Sequence, residues 1–280
     1  MITKLKYVPE IDGLRAVAVL SVILFHAKIK IFNLDFEGGL FGVDIFFVIS
    51  GYLISKLIIL EIKNNGNFNF KNFYLRRIRR ILPALTTVAL ITFPFAFLLL
   101  LPVSFLDYIW SLISGIFFSS NLFFFFSETQ YNSTPSLYKP LLHYWSLSVE
   151  EQFYFLYPIT LLIILKYFYK KFYLCIFAIS ILSFIFAVYL SIKNPSLNFY
   201  LFPTRIWEFL VGALAAKMHI EDHKFTKIKA HFILQLFGII LLVFSILFLN
   251  NYNLNIYSQK NIFNYILFSH PGLITLVPVT

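Results

Sequence analysis

The chain has 280 residues, of which 59% are hydrophobic, 20% are aromatic and only 13% are charged. Soluble domains usually carry about 25% charged residues, and a mean hydropathy of +0.79 leaves too little polar surface for a soluble domain. The formal net charge of +10 would suggest a nucleic-acid partner in a soluble protein, but the positive residues cluster between apolar runs, as the positive-inside rule requires. We therefore expect an all-α, polytopic transmembrane helical bundle of about eight membrane segments that binds no nucleic acid.

The single cysteine, Cys175, excludes an intramolecular disulfide and a cysteine-based metal cluster. The chain has no paired-histidine spacing, no phosphate-binding loop and no dinucleotide fingerprint. The sequence therefore predicts no metal and no bound cofactor.

Residues 14–29 and 40–60 form the first two apolar runs, and a strongly basic segment, residues 61–80, follows them. Its positive residues are Lys63, Lys71, Arg76, Arg77, Arg79 and Arg80, and its one acid is Glu61. Positive loops favour the cytoplasmic side of a membrane. We interpret the segment as a cytoplasmic loop, which predicts a cytoplasmic N-terminus and an outward-facing turn at residues 33–39.

Further apolar runs occupy residues 81–106, 108–127, 147–165, 172–192, 206–216, 231–249 and 265–280. Suppose that the basic segments 61–80, 166–171 and 217–229 are all cytoplasmic. The three runs 81–106, 108–127 and 147–165 cannot then all cross the membrane, because three crossings that start inside end outside. We favour a re-entrant or interfacial segment within residues 105–165, because irregular backbone at membrane depth is tolerated where it lines a cavity. The alternative is that the three lysines of residues 166–171 do not follow the positive-inside rule. No repeat or linker divides the chain, so residues 1–280 are interpreted as a single transmembrane domain.

Two ionisable residues lie on one face of the first helix. Arg15 and His26 are eleven residues apart, so they lie within about 20° of each other and about 16 Å apart along the axis. An ionisable group inside a membrane bundle suggests function. The alternatives are a structural interhelical hydrogen bond for His26 and a snorkelling anchor for Arg15.

Asp44 lies about one turn inside the second apolar run, at a depth comparable to that of His26. A carboxylate that orients an imidazole is a recurring catalytic pair. The alternative is stabilisation of the helix N-terminus by the Asp44 charge.

Six different sequence blocks follow one another along almost the whole chain. The first is IDGLRAVAVLSVILFH, in which ten residues separate Arg15 from His26, and the second is GLFGVDIFFVISGYLI. The later blocks are FYLRRIRRILPA (73–84), LLHYWSLSVEEQFYFLYP (141–158), TRIWEFLVGALAA (204–216) and HPGLITLVP (270–278). In this order they resemble the acyltransferase-3 family of membrane acyltransferases, with its Arg/Lys-x10-His signature and its cytoplasmic Arg-x-x-Arg loop.

The resemblance implies a bacterial cytoplasmic-membrane O-acyltransferase. Such an enzyme takes an acyl group, most often acetyl, from cytoplasmic acyl-CoA and delivers it to a hydroxyl of a cell-surface or lipid-linked carbohydrate. The expected partners are thus the lipid bilayer, acyl-CoA and a carbohydrate acceptor. In this interpretation His26 is the general base and Asp44 orients it.

Members of the family usually have further spans after the HPGLITLVP-like block, and some carry an extracytoplasmic hydrolase domain. This chain stops at Thr280. We therefore expect it to be truncated at its C-terminus.

The basic segment contains two overlapping Arg-x-x-Arg pairs, Arg76 with Arg79 and Arg77 with Arg80. If the segment is helical, the members of each pair share a face. Arginine forks suit phosphate oxygens, so together with the resemblance we assign these four residues and Arg15 to binding of acyl-CoA. The positive-inside signal alone is the alternative.

Three further sets of polar residues stand in the later blocks. Glu150 and Glu151 are candidate catalytic carboxylates; the alternative is an ordinary helix start in which Ser146 or Ser148 is the N-cap. His143 stands in the same block and is given a secondary, structural role. Arg205 and Glu208, three residues apart, predict an internal salt bridge, since an unpaired Glu208 would be costly in a membrane.

Two other classes of function remain open. A transporter or permease would use Arg15, His26 and Asp44 as a proton or substrate relay, although the lack of a two-fold repeat disfavours common transporter folds. A truncated, inactive paralogue is the other alternative.

Overall fold

A computed structural model describes residues 8–29, 36–129, 135, 138–221, 228–248, 270–271 and 275, except for the side chains of 228–235 and 248. Every regular element within these ranges is helical, as the composition predicts. The α-helices are α1 (Pro9–Ala27), α2 (Gly42–Asn65), α3 (Phe70–Leu99), α4 (Pro102–Ile116), α5 (Ser120–Glu128), α6 (Tyr144–Tyr167), α7 (Phe172–Lys193), α8 (Pro195–Tyr200), α9 (Ile206–Glu221) and α10 (Ile228–Phe248), and short 3₁₀ helices occupy Glu37–Phe41, Tyr169–Lys171 and Phe202–Thr204.

Four helical stretches in the described part of the chain are long and apolar enough to cross a membrane: Glu37–Asn65, Phe70–Leu99, Tyr144–Tyr167 and Tyr169–Lys193. The sequence predicts about eight membrane segments. The difference has local causes: α1 carries Glu10, Asp12 and Arg15 near its start, and α4 and α9 are short. The last predicted run, residues 265–280, lies almost entirely outside the described residues.

The chain divides into two compact units. The first comprises Met1–Leu60 and Leu156–Thr280, and the second comprises Glu61–Phe155.

In the first unit, α2 and α9 approach each other at two glycines. A Cβ atom on Gly51 would lie 1.9 Å from the carbonyl oxygen of Phe209, and one on Gly212 would lie 2.0 Å from that of Val48. Only glycine permits this approach. Phe47 and Phe209 stack beside it, with ring centroids 4.6 Å apart.

In the second unit, α4 and α6 pack on α3. The Tyr108 hydroxyl of α4 lies 3.0 Å from the Thr92 hydroxyl, and the Tyr144 hydroxyl of α6 donates to the Leu85 carbonyl at 3.1 Å. Buried Leu85, Tyr108 and Tyr144 belong to one hydrophobic cluster, which Leu141 and Ala96 complete. The unit therefore has its own core.

The uncharged run 108–127 is not one helix. It is interrupted between α4 and α5, where Phe118 adopts a left-handed φ of 51°. With 15 and 9 residues, the two helices are about 22 Å and 14 Å long, shorter than the roughly 30 Å hydrocarbon core. This geometry supports the re-entrant segment that we favour from the sequence, which stays a prediction.

Side chains of α6 hold the turn between α4 and α5. The Gln152 amide donates to the Phe118 carbonyl and to Asn121 Oδ1, both at 2.9 Å. The Ser148 hydroxyl accepts the backbone N–H of Ser120, the first residue of α5, at 3.1 Å. Irregular backbone in an apolar environment needs such partners.

The structure corrects two local interpretations. Residues 61–80 are largely helical rather than a loop, because α2 continues to Asn65 and the Asn69 side chain caps α3 by accepting the Asn72 N–H at 3.0 Å. The N-cap interpretation of Ser146 and Ser148 is also wrong. Because α6 already begins at Tyr144, both serines lie inside the helix, and no acid stands in its first turn.

Candidate active site

The first candidate group lies on α1. Since this helix is continuous from Pro9 to Ala27, the eleven-residue spacing places Arg15 and His26 on one face. Arg15 Nη1 lies 3.3 Å from Asp12 Oδ1. His26 is exposed and its Nδ1 donates to the Val22 carbonyl at 2.8 Å. In that tautomer Nε2 carries the lone pair that a general base requires.

A second group is a buried charge cluster in the first unit. Arg205 Nη1 donates to Asp44 Oδ1 at 2.8 Å and to Glu208 Oε1 at 3.2 Å, and the three side chains are fully buried. The contact with Glu208 is the internal ion pair that the three-residue spacing predicts. Asp44 comes from α2, whereas Arg205 and Glu208 stand at the start of α9.

His270 completes the charge cluster. Its Nε2 lies 2.9 Å from Asp44 Oδ2, so both carboxylate oxygens of Asp44 have partners. Both ring nitrogens of His270 lie 3.4 Å from guanidinium nitrogens of Arg205. At this distance both contacts are long for hydrogen bonds.

Asp44 and His26 therefore have different described partners. The Asp44 carboxylate binds Arg205 and His270, and the His26 ring binds its own helix. Orientation of His26 by Asp44 remains a prediction that no described contact supports.

The charge cluster joins elements that are far apart in the sequence. The charge cluster contains one positive guanidinium and two carboxylates. A proton bound to one carboxylate or to His270 would therefore make the cluster neutral. Within the described residues, no group of three or more histidine, cysteine or carboxylate side chains is placed to hold a metal ion.

A third group lies in the second unit, where α3 faces α6. Glu151 experiences the charges of Arg77 and Arg80 as well as that of Glu150. Its Oε1 atom is buried and has no hydrogen-bond partner among the described residues. The Arg77 guanidinium carbon lies 4.4 Å from the centre of the Tyr154 ring. The structure thus brings Arg77 of one sequence block into contact with α6 of another, and the charges of Arg77 and Arg80 act on Glu151.

The other arginines of the basic segment have different surroundings. Arg76 Nη2 lies 3.6 Å from Oε2 of buried Glu61, whose Oε1 accepts the Asn69 N–H at 3.1 Å. The Glu61 carboxylate of α2 therefore contacts both the N-cap residue and a side chain of α3. Arg79 and Arg80 are exposed.

The remaining predicted residues lie on or beside α6. Glu150 accepts a hydrogen bond from the Tyr154 hydroxyl, one turn along the helix. His143 is exposed in the turn before α6, and its carbonyl accepts the Ser146 hydroxyl at 3.1 Å.

Comparison with known proteins identifies the family of this chain. The sequence profile of the acyltransferase domain family, acyltransferase-3, matches residues 8–278. The chain belongs to the acyltransferase-3 family. The match confirms the resemblance read from the sequence blocks, and it extends through both compact units.

Relatives agree with this assignment. The peptidoglycan O-acetyltransferase OatA of Listeria monocytogenes is 35% identical over 216 residues, which are 75% of this chain and 34% of that protein. The putative peptidoglycan O-acetyltransferase YrhL of Bacillus subtilis is 37% identical over 217 residues, 75% of this chain and 33% of its own length. A putative O-acetyltransferase of Staphylococcus aureus strain COL is 41% identical over 170 residues, 60% of this chain and 27% of that protein.

This acyltransferase-3 chain spans about a third of the length of the curated relatives it matches, or less. No solved structure matches it.

Sequence reasoning gave no role to His270 or Tyr154. For His270 a signal existed, because a carboxylate at the depth of Asp44 needs a partner. Nothing local pointed to which residue that partner is, since 226 positions separate the two.

Proposed function

We propose that this chain is the membrane part of an O-acyltransferase. It would transfer an acetyl group from cytoplasmic acyl-CoA to a hydroxyl of a cell-surface carbohydrate, with peptidoglycan as the first acceptor to test. The observation that carries the proposal is the family match over residues 8–278, together with relatives whose names describe O-acetyltransferases.

The arginines of α3 are the proposed donor site. The charges of Arg77 and Arg80 both act on Glu151, and guanidinium forks suit the phosphates of CoA. Arg79, which is exposed on the same helix, and Arg76, which also contacts Glu61, are proposed to bind the donor as well. Arg15 of α1 is the fifth proposed donor-binding residue.

His26 is the proposed general base. Its Nε2 would take the proton of the acceptor hydroxyl as the oxygen attacks the acyl carbon. The C–S bond would then break, and the CoA sulfur would leave as the thiol after taking that proton from His26. The Nδ1 hydrogen bond to Val22 fixes the tautomer that this step needs. Asp44, Glu150 and Glu151 remain proposed as supporting carboxylates.

The proposed topology follows from the basic residues. The N-terminus and the Arg76–Arg80 end of α3 would face the cytoplasm of a bacterial inner membrane, with about eight membrane segments if α4 and α5 count as one re-entrant segment. In a Cys175→Ser background, a cysteine at Thr129 should react with an impermeant reagent added outside, and one at Lys71 only after lysis. If the cysteine at position 129 reacts only after lysis, α4 and α5 together cross the membrane once and the re-entrant interpretation is wrong.

Transfer of label from acetyl-CoA to glycan in isolated membranes tests the function. His26→Gln should lower the rate by about 100-fold or more, the usual contribution of a general base. His143→Gln, a change at an exposed histidine, is the matched control and should keep wild-type activity.

Equal glycan acetylation by the wild type and His26→Gln would refute the base role. Absence of transfer by wild-type membranes, combined with uptake of a labelled solute, would favour the transporter alternative.

A further inference from the structure

Four aromatic rings lie at the start of α3, in the second unit. Phe70 is the first residue of the helix. The centre of its ring lies 5.0 Å from that of Phe68 and 6.4 Å from that of Tyr74, with which it stacks at an interplanar angle of 18°. The Phe73 ring contacts both Phe68 and Tyr74. The four rings therefore form one continuous group, which we call the aromatic cluster.

The members of the aromatic cluster differ in their exposure. Phe73 is only 1% exposed, and the Tyr74 hydroxyl donates to the Phe155 carbonyl of α6 at 3.1 Å. These two residues hold α3 against its neighbours. Phe70, in contrast, is 38% exposed. An aromatic ring that its neighbours hold in place and that keeps an accessible surface provides a rigid platform for a flat ligand.

The aromatic cluster continues into the arginines of the proposed donor site. The Arg77 guanidinium carbon lies 5.7 Å from the centre of the Phe73 ring. Phe70, Tyr74 and Arg77 are spaced by four and three residues, so they share one face of α3. Arg77 and Arg80 lie about 10 Å and 15 Å beyond Phe70 along the helix axis. A ligand that contacts both regions must therefore combine a flat ring with negative charge.

The turn before α3 adds amide groups beside the exposed ring. Residues 64–69 read NNGNFN, which places four asparagines among six residues. The Asn69 side chain accepts the Asn72 N–H as the N-cap, whereas Asn64 and Asn67 are exposed. A side-chain amide both donates and accepts hydrogen bonds, which matches the adjacent amino group and ring nitrogen at the edge of adenine.

These features together select a nucleotide. A base stacks on an aromatic ring, its edge bonds to amide groups, and its phosphates bind guanidinium forks. CoA has this composition, because its adenine is joined to a ribose 3′-phosphate and to a pyrophosphate. The pantetheine arm that carries the acyl group follows on the far side of the pyrophosphate.

We propose that Phe70 is the stacking platform for the adenine ring of the CoA donor, with Asn64 and Asn67 at the edge of the base. The phosphates then lie towards Arg77 and Arg80. The proposal rests on the proposed function, because it takes acyl-CoA as the donor. Phe70 holds the nucleotide end of the donor and takes no part in acyl transfer.

Nucleotide binding by the purified full chain in detergent micelles tests the platform separately from acyl transfer. The probe is adenosine 3′,5′-bisphosphate, which contains the adenine and the 3′-phosphate of CoA, and pyrophosphate is the probe without a base. Titration calorimetry measures both. Phe70→Ala should raise the Kd of the nucleotide about fivefold or more, the usual effect of losing a base–aromatic stack. It should leave the Kd of pyrophosphate unchanged.

Matched variants separate the ring from the rest of the helix. Phe70→Trp keeps an aromatic ring and should bind the nucleotide at least as tightly as the wild type. Phe95→Ala changes another exposed phenylalanine of α3 and should have no effect. Arg80→Met should weaken binding of both probes, because it removes a contact with phosphate. The wild type should prefer adenosine 3′,5′-bisphosphate to the uridine analogue, since uracil has a smaller ring and no amino group.

Three results would overturn the proposal: equal Kd values of the nucleotide in the wild type and Phe70→Ala, equal affinity of the wild type for the adenosine and uridine nucleotides, or failure of the wild type to bind either. If Phe70→Ala does not fold, or if it loses pyrophosphate as well, Phe70→Leu decides, because leucine keeps an apolar side chain but has no ring.

Failure of the platform and failure of the proposed function give different results. Nucleotide binding that depends on Phe70, in a chain that transfers no acetyl group, would support the platform and refute the enzymatic function. Acetyl transfer in which Phe70→Ala leaves the KM for acetyl-CoA unchanged would refute the platform and leave the enzymatic function intact.

Discussion

Arg205 and Arg80 carry the same guanidinium group, yet their surroundings are opposite. Arg205 is fully buried and its hydrogen bonds go to two carboxylates and the Phe199 carbonyl. Arg80 is exposed and acts on Glu151 at longer range. The first arginine has its charge compensated inside the protein, whereas the second has donors available for a ligand.

The difference predicts different roles. A buried ion pair is costly to form and still more costly to break, because removal of one partner leaves a charge without compensation in an apolar environment. An exposed arginine contributes little to stability and binds phosphate well. Substitution in the charge cluster should therefore lower stability. Substitution of the arginines in the proposed donor site should lower the affinity for the donor.

The largest effect is expected for Arg205→Met. This change leaves Asp44 and Glu208 facing each other without the guanidinium, so stability should fall by about 3–5 kcal/mol. The midpoint of thermal unfolding in detergent micelles measures the loss. Arg79→Met removes the same charge from an exposed site and should have no effect.

A neutral version of the charge cluster sharpens this prediction. The triple variant Asp44→Asn, Glu208→Gln, Arg205→Met contains no charge among the three residues and should recover most of the lost stability. An Arg205→Met protein that unfolds at the wild-type temperature would contradict the structural role of Arg205.

Gln152→Met should have the next largest effect, in the second unit. Gln152 donates to the Phe118 carbonyl and to Asn121, and methionine keeps the volume without the amide. An unsatisfied carbonyl in the turn between α4 and α5 should cost about 2 kcal/mol, measured by the same unfolding assay. Gln152→Glu cannot donate to Phe118 either, so it should be at least as unstable; wild-type stability of both variants would show that the turn does not depend on this side chain.

The sequence was sufficient for the features that local periodicity encodes. A continuous α1 and one shared face for Arg15 and His26 follow from an eleven-residue spacing. The ion pair between Arg205 and Glu208 follows from a three-residue spacing.

Contacts between distant elements were not predictable in this way. The Asp44–His270 contact joins residues 226 positions apart, and no periodic pattern relates them. The break between α4 and α5 lies inside an uncharged run, where hydropathy is uniform; its signal is local, since Gly115 stands just before the break and Ser119 and Asn121 just after it.

Arg80→Met should change donor affinity and leave stability unaltered. The loss of one charge-assisted contact to a CoA phosphate should raise the KM for acetyl-CoA about tenfold. Lys71→Met, a change at an exposed cation on the same helix, is the control. The KM for acetyl-pantetheine, which lacks the phosphates, should be the same in the wild type and Arg80→Met; an equal rise for both donors would indicate that Arg80 does not contact phosphate.

The smallest effect is expected for Ser148→Ala. The Ser148 hydroxyl accepts the N–H of Ser120 in the first turn of α5, so it serves as an N-cap supplied by another helix. Loss of such a cap should cost about 1 kcal/mol, and Ser146→Ala, whose hydroxyl bonds only to the His143 carbonyl among its described contacts, should cost less than about 0.5 kcal/mol. If α5 is re-entrant, water cannot replace the cap and the Ser148 loss should exceed the Ser146 loss clearly. Equal losses would show that the start of α5 is hydrated, and they would place that turn outside the hydrocarbon core.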